Sequence, residues 1–453
     1  MASRDNRAVS DAPMRSRSAA EAGWHESRYN IGARLPGSDS VVVANLFRGT
    51  CCEVTPLEGA LLRRLDEIDE GHPVVERLAK RGIICDFEER AMLEAMGRAA
   101  CAAPIEVSLT ICPTMNCNFD CPYCFQEHAQ PSGAGMDESV QDDVVGLAER
   151  MLDASRAKTL RVMWFGGEPL LAPGVIESLS ARLSALAESR GASYRARITT
   201  NGFLLDRDAS EMLGRASVES AVITMDGVGA DHDATRHLKG GGPTFERIVA
   251  NLRDTRHPFK IAVRHNIHQG NWHTASGLEA LVERLSRESG NDISYLPALV
   301  SGNAAADARG GCVAVLDGAR AAEVAMRQEA ERFEAGRGHY CGANQLFNVS
   351  IDESGRLYKC WEALDKPEES FGRACAWDPI NPFATADAAD NLTRFLNIVG
   401  PIPDEECREC LWLPLCVGGC PYKRFSGARN CVPFKDDPEG FVLSLHAARH
   451  RTP

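Results

Sequence analysis

The chain has 453 residues, enough for about three domains, and an apolar content of 44% that is ordinary for a globular protein. Its net charge of −13 argues against a general nucleic-acid binder, and no apolar run approaches the ~20 residues of a membrane span. Residues 1–22 are polar and rich in Ala, Arg and Ser, with no apolar h-region, and read as a disordered tail and not a signal peptide. The chain carries 17 cysteines, many of them clustered. Without signs of secretion, the clustering points to metal in a reducing cytoplasm and not to disulfides.

Residues 23–104 read as a small separate module. Ser40 to Phe47 and Cys51 to Val54 are β-branched, apolar stretches around Arg48-Gly49-Thr50, a hairpin signal. Thr55-Pro56-Leu57-Glu58 combines a capping box with proline at the first helical position. Leu57, Leu61, Leu62, Leu65 and Ile68 follow at helical spacing. A second helix spans Val74 to Arg81, a short strand Ile83 to Cys85, and a third helix Glu88 to Ala100. The order is winged-helix-like. Such a module serves either as a structural cap or as a docking domain in which a peptide adds a strand to an exposed sheet edge. Cys51, Cys52, Cys85 and Cys101 are scattered and are expected to pack as small hydrophobes.

Residues 105–310 alternate strands and helices. Strands are expected at Ile105–Ile111, Leu160–Phe165, Tyr194–Thr199, Ala221–Met225, Lys260–Ile267 and Ile293–Leu299. Helices are expected between them, the first N-capped by Asp137. The alternation predicts an α/β fold with a parallel sheet and right-handed crossovers. Six strands and not eight imply an open, partial (β/α)6 barrel, with its active site at the C-terminal strand ends.

The chemically unusual residues sit at those ends. After the first strand, Cys117, Cys121 and Cys124 form CxxxCxxC, with an aromatic, Tyr123, just before the third cysteine. Three close thiolates suit a four-iron, four-sulfur cluster with one open iron. The alternative is a closed zinc site, with His128 as the fourth ligand. Gly166-Gly167-Glu168-Pro169 follows the second strand, Thr199-Thr200-Asn201-Gly202 the third, and Thr224-Met225-Asp226-Gly227 the fourth. Arg236 lies shortly beyond, and Arg264 and Asn266 on the fifth strand read as a satisfied polar layer.

With these motifs the chain resembles the radical S-adenosylmethionine (SAM) superfamily, whose signature is CxxxCxΦC with Φ aromatic. The resemblance implies a [4Fe–4S] cluster on Cys117, Cys121 and Cys124, with Tyr123 as the signature aromatic beside SAM. It implies that Gly166, Gly167 and Glu168 meet the methionine amino group of SAM. By the same resemblance Thr224 faces the ribose hydroxyls and Arg236 the methionine carboxylate, a task suited to a guanidinium.

Residues 311–453 are cysteine-rich. Cys341 precedes a G-x4-C element, Gly355 to Cys360, and then come Cys407, Cys410, Cys416, Cys420 and Cys431. The order resembles the SPASM extension of radical SAM enzymes, which carries two auxiliary clusters. The resemblance assigns Cys341, Cys360 and Cys420 to the first and Cys407, Cys410, Cys416 and Cys431 to the second, for three [4Fe–4S] clusters in all. The first is one protein ligand short. Cys312, well upstream, is one candidate, and an iron left open for a substrate thiolate is the other. Zinc ribbons are the alternative for the whole region. Cys112 and Cys375 match nothing and are expected to be structural.

Enzymes of this layout mostly modify peptides. The resemblance implies a maturase of a ribosomally made peptide that forms thioether or carbon–carbon crosslinks through a 5′-deoxyadenosyl radical, with no catalytic base assigned. Its partners would be a precursor peptide or protein and an electron donor such as flavodoxin or ferredoxin, in the cytoplasm, with no nucleic acid and no membrane. The N-terminal module would be the leader-docking domain found before the core of many such enzymes. Two further readings stand beside it. One is an anaerobic sulfatase maturase that makes formylglycine; those enzymes carry an aspartate directly after the cysteine of the G-x4-C element, where this chain has Trp361. The other is a non-enzymatic zinc scaffold.

Overall fold

A computed structural model of the chain describes residues 19–20, 23–102, 106–126, 135–300, 318–333, 341–397, 404–425, 427 and 431–450. His128 and Cys312 lie outside the described residues. The chain divides into two compact units. One takes residues 1–93, 329–338 and 436–453, the other 94–328 and 339–435.

The first unit holds β1 (His25–Glu26), β2 (Asn30–Arg34), β3 (Val41–Asn45), β4 (Thr50–Val54) and β5 (Ile84–Cys85). β2, β3 and β4 form an antiparallel meander, and β1 pairs with β5. The β3–β4 hairpin turns where the sequence places it; β1 and β2 go unread there, being short and polar. Thr55 caps the helix Pro56–Leu62 as the sequence predicts. Its hydroxyl accepts from the Glu58 N–H, while the Glu58 carboxylate accepts from the Thr55 N–H. The helix ends before Leu65 and Ile68, which are buried beyond its last turn, and Leu57 is exposed. A helix over Pro438–Arg449, near the end of the chain, packs on β2, β3 and β4 and so joins this unit. Cys51 and Cys85 are buried here.

The second unit is built on one sheet. β6 (Val107–Ile111), β7 (Thr159–Trp164), β8 (Ser193–Thr200), β9 (Val218–Thr224), β10 (Lys260–Ile267) and β11 (Ile293–Leu299) are parallel and adjacent in chain order. They correspond to the six expected strands, and β10 and β11 have the expected bounds. β7 shows the underlying pattern: Leu160, Val162 and Trp164 are buried and alternate with half-buried Thr159, Arg161 and Met163. The buried set packs with the flanking helices, Glu138–Ala154 and Pro173–Ser189 among them, in one core. β11 lies at one edge, so the sheet stays open.

At its other edge the sheet continues past β6 into residues the sequence left unread. β12 (Asn348–Ile351) adds parallel to β6, followed by antiparallel β13 (Arg356–Tyr358) and β14 (Gly372–Arg373). The cysteine-rich region thus shares the sheet that bears the Cys117 loop. Among the described residues no helix is long and apolar enough to cross a membrane.

The cap of the Pro56 helix is open to measurement. Thr55→Ala should cost about 1 kcal/mol in chemical denaturation. Glu58→Ala should cost more, because the buried Glu58 carboxylate also accepts from Arg81 at 3.2 Å.

Candidate active site

The loop after β6 makes no secondary structure of its own, and neighbouring backbone fixes it. The Phe165 N–H donates to the Ile111 carbonyl at 3.0 Å, Gly167 N–H to Thr114 at 3.1 Å, and Glu168 N–H to Asn116 at 2.7 Å. This approach needs both glycines. A Cβ on Gly167 would lie 2.2 Å from the Asn116 carbonyl oxygen. Gly166 sits at φ +126°, with a Cβ position 2.3 Å from the Cys112 sulfur. On the opposite side the Asp120 N–H donates to His237 at 3.0 Å, and the Lys239 N–H to Asn118 at 2.9 Å. From the hairpin beyond β12, Glu353 accepts from the Met115 N–H at 2.7 Å. Cys112 is buried and its thiol donates to the Thr114 carbonyl, a structural role.

Glu168 is fully buried. One carboxylate oxygen accepts from the Thr200 hydroxyl at 2.7 Å and the Leu170 N–H at 3.0 Å, and the other from the Asn201 N–H at 2.7 Å. It therefore ties the loop after β7 to the turn after β8. Burial raises its pKa above the usual carboxylate range, against these three bonds to the charged form.

Tyr123 is the centre of a second buried network. Its hydroxyl donates to the Asp226 carboxylate at 2.5 Å, and accepts from Arg236 at 2.9 Å and the Asn266 amide at 3.3 Å. Thr235 donates to the same Asp226 oxygen at 2.9 Å, and Asn271 fixes the Asp226 carbonyl at 2.8 Å. Burial pushes the Tyr123 hydroxyl up, aided by the charge of Asp226, and holds Asp226 above the usual carboxylate range. Arg236 lies over the Phe119 ring, 5.6 Å from its centroid. Two buried polar atoms of this network find no protein partner, Arg236 Nε and Asp226 Oδ1. Thr224, at the end of β9, is buried beside it in sequence. The sequence offered Tyr123, Asp226 and Arg236 only as separate motifs; their contact, and the parts of Thr235 and Asn271, follow from loop packing that no local pattern encodes.

Cys117, Cys121 and Cys124 are all half-buried. Burial pushes the Cys117 and Cys121 thiols up to about 11, so thiolates at these positions call for a bound cation to offset their charge. Burial raises the Cys341 and Cys360 thiols, and the charge of Cys420 adds to it at both. Cys407, Cys410, Cys416 and Cys431 line a common cavity with Trp412 and Arg424, and Arg424 donates to the Cys407 sulfur at 3.0 Å. Burial, then the neighbouring Cys410, Cys407 and Cys431 charges, push Cys416 up to about 11. Among the described residues no three cysteine sulfurs lie within 4.8 Å of one another. A single tetrahedral zinc ion would hold them about 3.8 Å apart. Cys375 is exposed.

An aromatic row joins two of these groups. Phe125, next to Cys124, stacks on Phe165 at 6.3 Å, and Phe165 meets Trp361, next to Cys360, at 6.0 Å.

Residues 111–282 match the family model of the Radical SAM superfamily. Over those residues the chain carries a radical SAM domain, which implies SAM and a [4Fe–4S] cluster as cofactors. Among curated proteins the chain is 24% identical over 336 residues to the serine-type anaerobic sulfatase-maturating enzyme of Klebsiella aerogenes, covering 67% of this chain and 77% of that one. It is 28% identical over 227 residues to pre-heme d1 synthase of Dinoroseobacter shibae, covering 50% and 51%. The chain spans between 36% and 51% of the length of the first curated relatives it matches. A solved structure, anSMEcpe with bound AdoMet and Cp18Cys peptide, has a TM-score of 0.56 at 19% identity and covers 76% of this chain and 97% of its own. At that identity the likeness is one of fold.

Two substitutions test the site as built. Tyr123→Phe removes the hydroxyl between Arg236 and Asp226. It should cost about 1–3 kcal/mol in denaturation of the anaerobic protein and weaken SAM binding in equilibrium dialysis. Gly167→Ala forces Asn116 away, so iron bound per chain should fall, as measured by iron analysis after reconstitution.

Proposed function

We propose that this protein is a radical SAM maturase of a ribosomally made peptide, with a [4Fe–4S] cluster on Cys117, Cys121 and Cys124 and two auxiliary clusters. The first auxiliary cluster takes Cys341, Cys360 and Cys420, and the second Cys407, Cys410, Cys416 and Cys431. The observation that carries this reading is the pairing of β12 with β6, which puts the Cys341–Cys360 segment on the sheet that bears the Cys117 loop. A reaction centre and auxiliary cysteines on one sheet suit a large substrate such as a peptide. The peptide in the related-fold anSMEcpe structure supports the same substrate class.

The donor set fits the cofactors. Three thiolates leave a cluster iron free, and the unpartnered Arg236 Nε is a buried donor suited to a carboxylate such as that of SAM. When bound, the cluster and SAM supply a carbon-centred radical that takes hydrogen from an unactivated carbon. The protein supplies the rest. Arg236, held by Tyr123, orients the methionine end, and Thr224 faces the ribose. Glu168 keeps the turns after β7 and β8 in register and, with Gly166 and Gly167, would hold the amino group. Trp361 and Phe165 would offer a peptide side chain an apolar contact between the two cysteine groups. A flavodoxin or ferredoxin would deliver electrons.

Formylglycine formation is the second reading, supported by the similarity to the Klebsiella aerogenes enzyme. Trp361 weighs against it, because an indole has no basic nitrogen and cannot do a carboxylate's work after Cys360.

Changing Cys117, Cys121 and Cys124 together to Ala should abolish 5′-deoxyadenosine formation while about eight irons per chain remain. Undiminished 5′-deoxyadenosine in that variant overturns the assignment. Fragment mass spectrometry of candidate peptides then separates a crosslink from a formylglycine.

A further inference from the structure

Outside this chemistry, the first unit gathers Glu53, His446 and His450. Glu53 lies near the end of β4. His446 is in the last turn of the helix Pro438–Arg449, and His450 is its C-cap. The imidazoles stand four residues apart, which places them on one helical face. Their ring centroids are 4.3 Å apart, and His446 Nε2 lies 3.3 Å from a Glu53 carboxylate oxygen. One ligand atom from each of the three residues falls within 4.8 Å of the other two, the one such group among the described residues.

We propose that Glu53, His446 and His450 bind a divalent transition-metal ion, with zinc as the best fit, and that the ion fastens the C-terminal helix to the β2–β3–β4 sheet. Two imidazole nitrogens and a carboxylate oxygen are a common zinc ligand set, with bonds of about 2.0–2.2 Å. Tetrahedral geometry at that length separates ligand atoms by about 3.4 Å, close to the separation of His446 and Glu53. The electrostatics agree. The site lies at a helix C-terminus, where unsatisfied carbonyls favour a cation, and Glu53 supplies one formal negative charge. Arg449 donates to the Cys51 carbonyl on β4 and brings no ligand atom. Glu53 and His450 are exposed, so the ion can enter from solvent and keep a water as its fourth ligand. The group draws no ligand from the cysteines, so zinc here need not displace iron.

The test uses the full-length protein with its clusters reconstituted, under anaerobic conditions, and zinc ion as the probe. Wild type should bind one zinc per chain by isothermal titration calorimetry, with iron content unchanged and the thermal unfolding midpoint raised. His450→Ala, at an exposed position that leaves the fold intact, should weaken binding at least tenfold and abolish the midpoint shift; Glu53→Gln should weaken it in the same direction. No binding by wild type, or equal binding by wild type and His450→Ala, means that the cluster is only a Glu53–His446 ion pair, and overturns the site. Binding without a midpoint shift overturns the fastening role.

Discussion

A loop that carries three cysteines within eight residues and makes no helix or strand of its own cannot be left to its own conformational freedom. Here the restraint is main-chain hydrogen bonding between residues 111–116 and 165–168. The two backbones come so close that neither Gly166 nor Gly167 has room for a Cβ. The glycines give up conformational entropy to permit this, and the loop gains fixed positions for Cys117, Cys121 and Cys124. Glu168, next in sequence, extends the restraint to the turn after β8. One tetrapeptide therefore sets both the cysteine loop and the turn beside it.

The Tyr123 network works by different physics. A buried carboxylate and a buried guanidinium are costly unless their hydrogen-bonding capacity is used. The Tyr123 hydroxyl mediates between them, donating to Asp226 and accepting from Arg236. Because the hydroxyl stands between the charges, each keeps an atom unengaged. The aromatic residue of the cysteine motif thereby acts at a distance from the sulfurs, on the charged groups that would meet a zwitterionic ligand.

Where a feature was local, the sequence disclosed it. β10 alternates buried and exposed residues over eight positions, between Pro258 and a polar turn, and its bounds are legible. The Thr55–Glu58 cap is a four-residue signal and is present as such. β12 is different: Asn348-Val349-Ser350-Ile351 is short and half polar, and its pairing with β6 on one side and β13 on the other makes it a strand. Likewise Tyr123 and Asp226 lie 103 residues apart, so their hydrogen bond belongs to the packed fold and to no motif. The cysteine spacing marked candidate ligands, whereas the cavity that Cys407, Cys410, Cys416 and Cys431 share depends on how the last third folds back.

The pairing of β12 with β6 also governs the order in which the sheet can be completed. β6 meets β7 after a connection of about 50 residues, but meets β12 only after about 240. The longer closure adds little to the equilibrium cost, about 1 kcal/mol by loop entropy. Its effect is on timing. In a chain made from its N-terminus all six strands precede residues 348–351, and until those residues pair, Val107, Leu109 and Ile111, all fully buried in the finished protein, lie on an open edge. An unpaired apolar strand of this kind recruits other strands indiscriminately. The hairpin that follows thus covers the edge of β6, and truncation within the last third would expose the core strand as well as remove thiols.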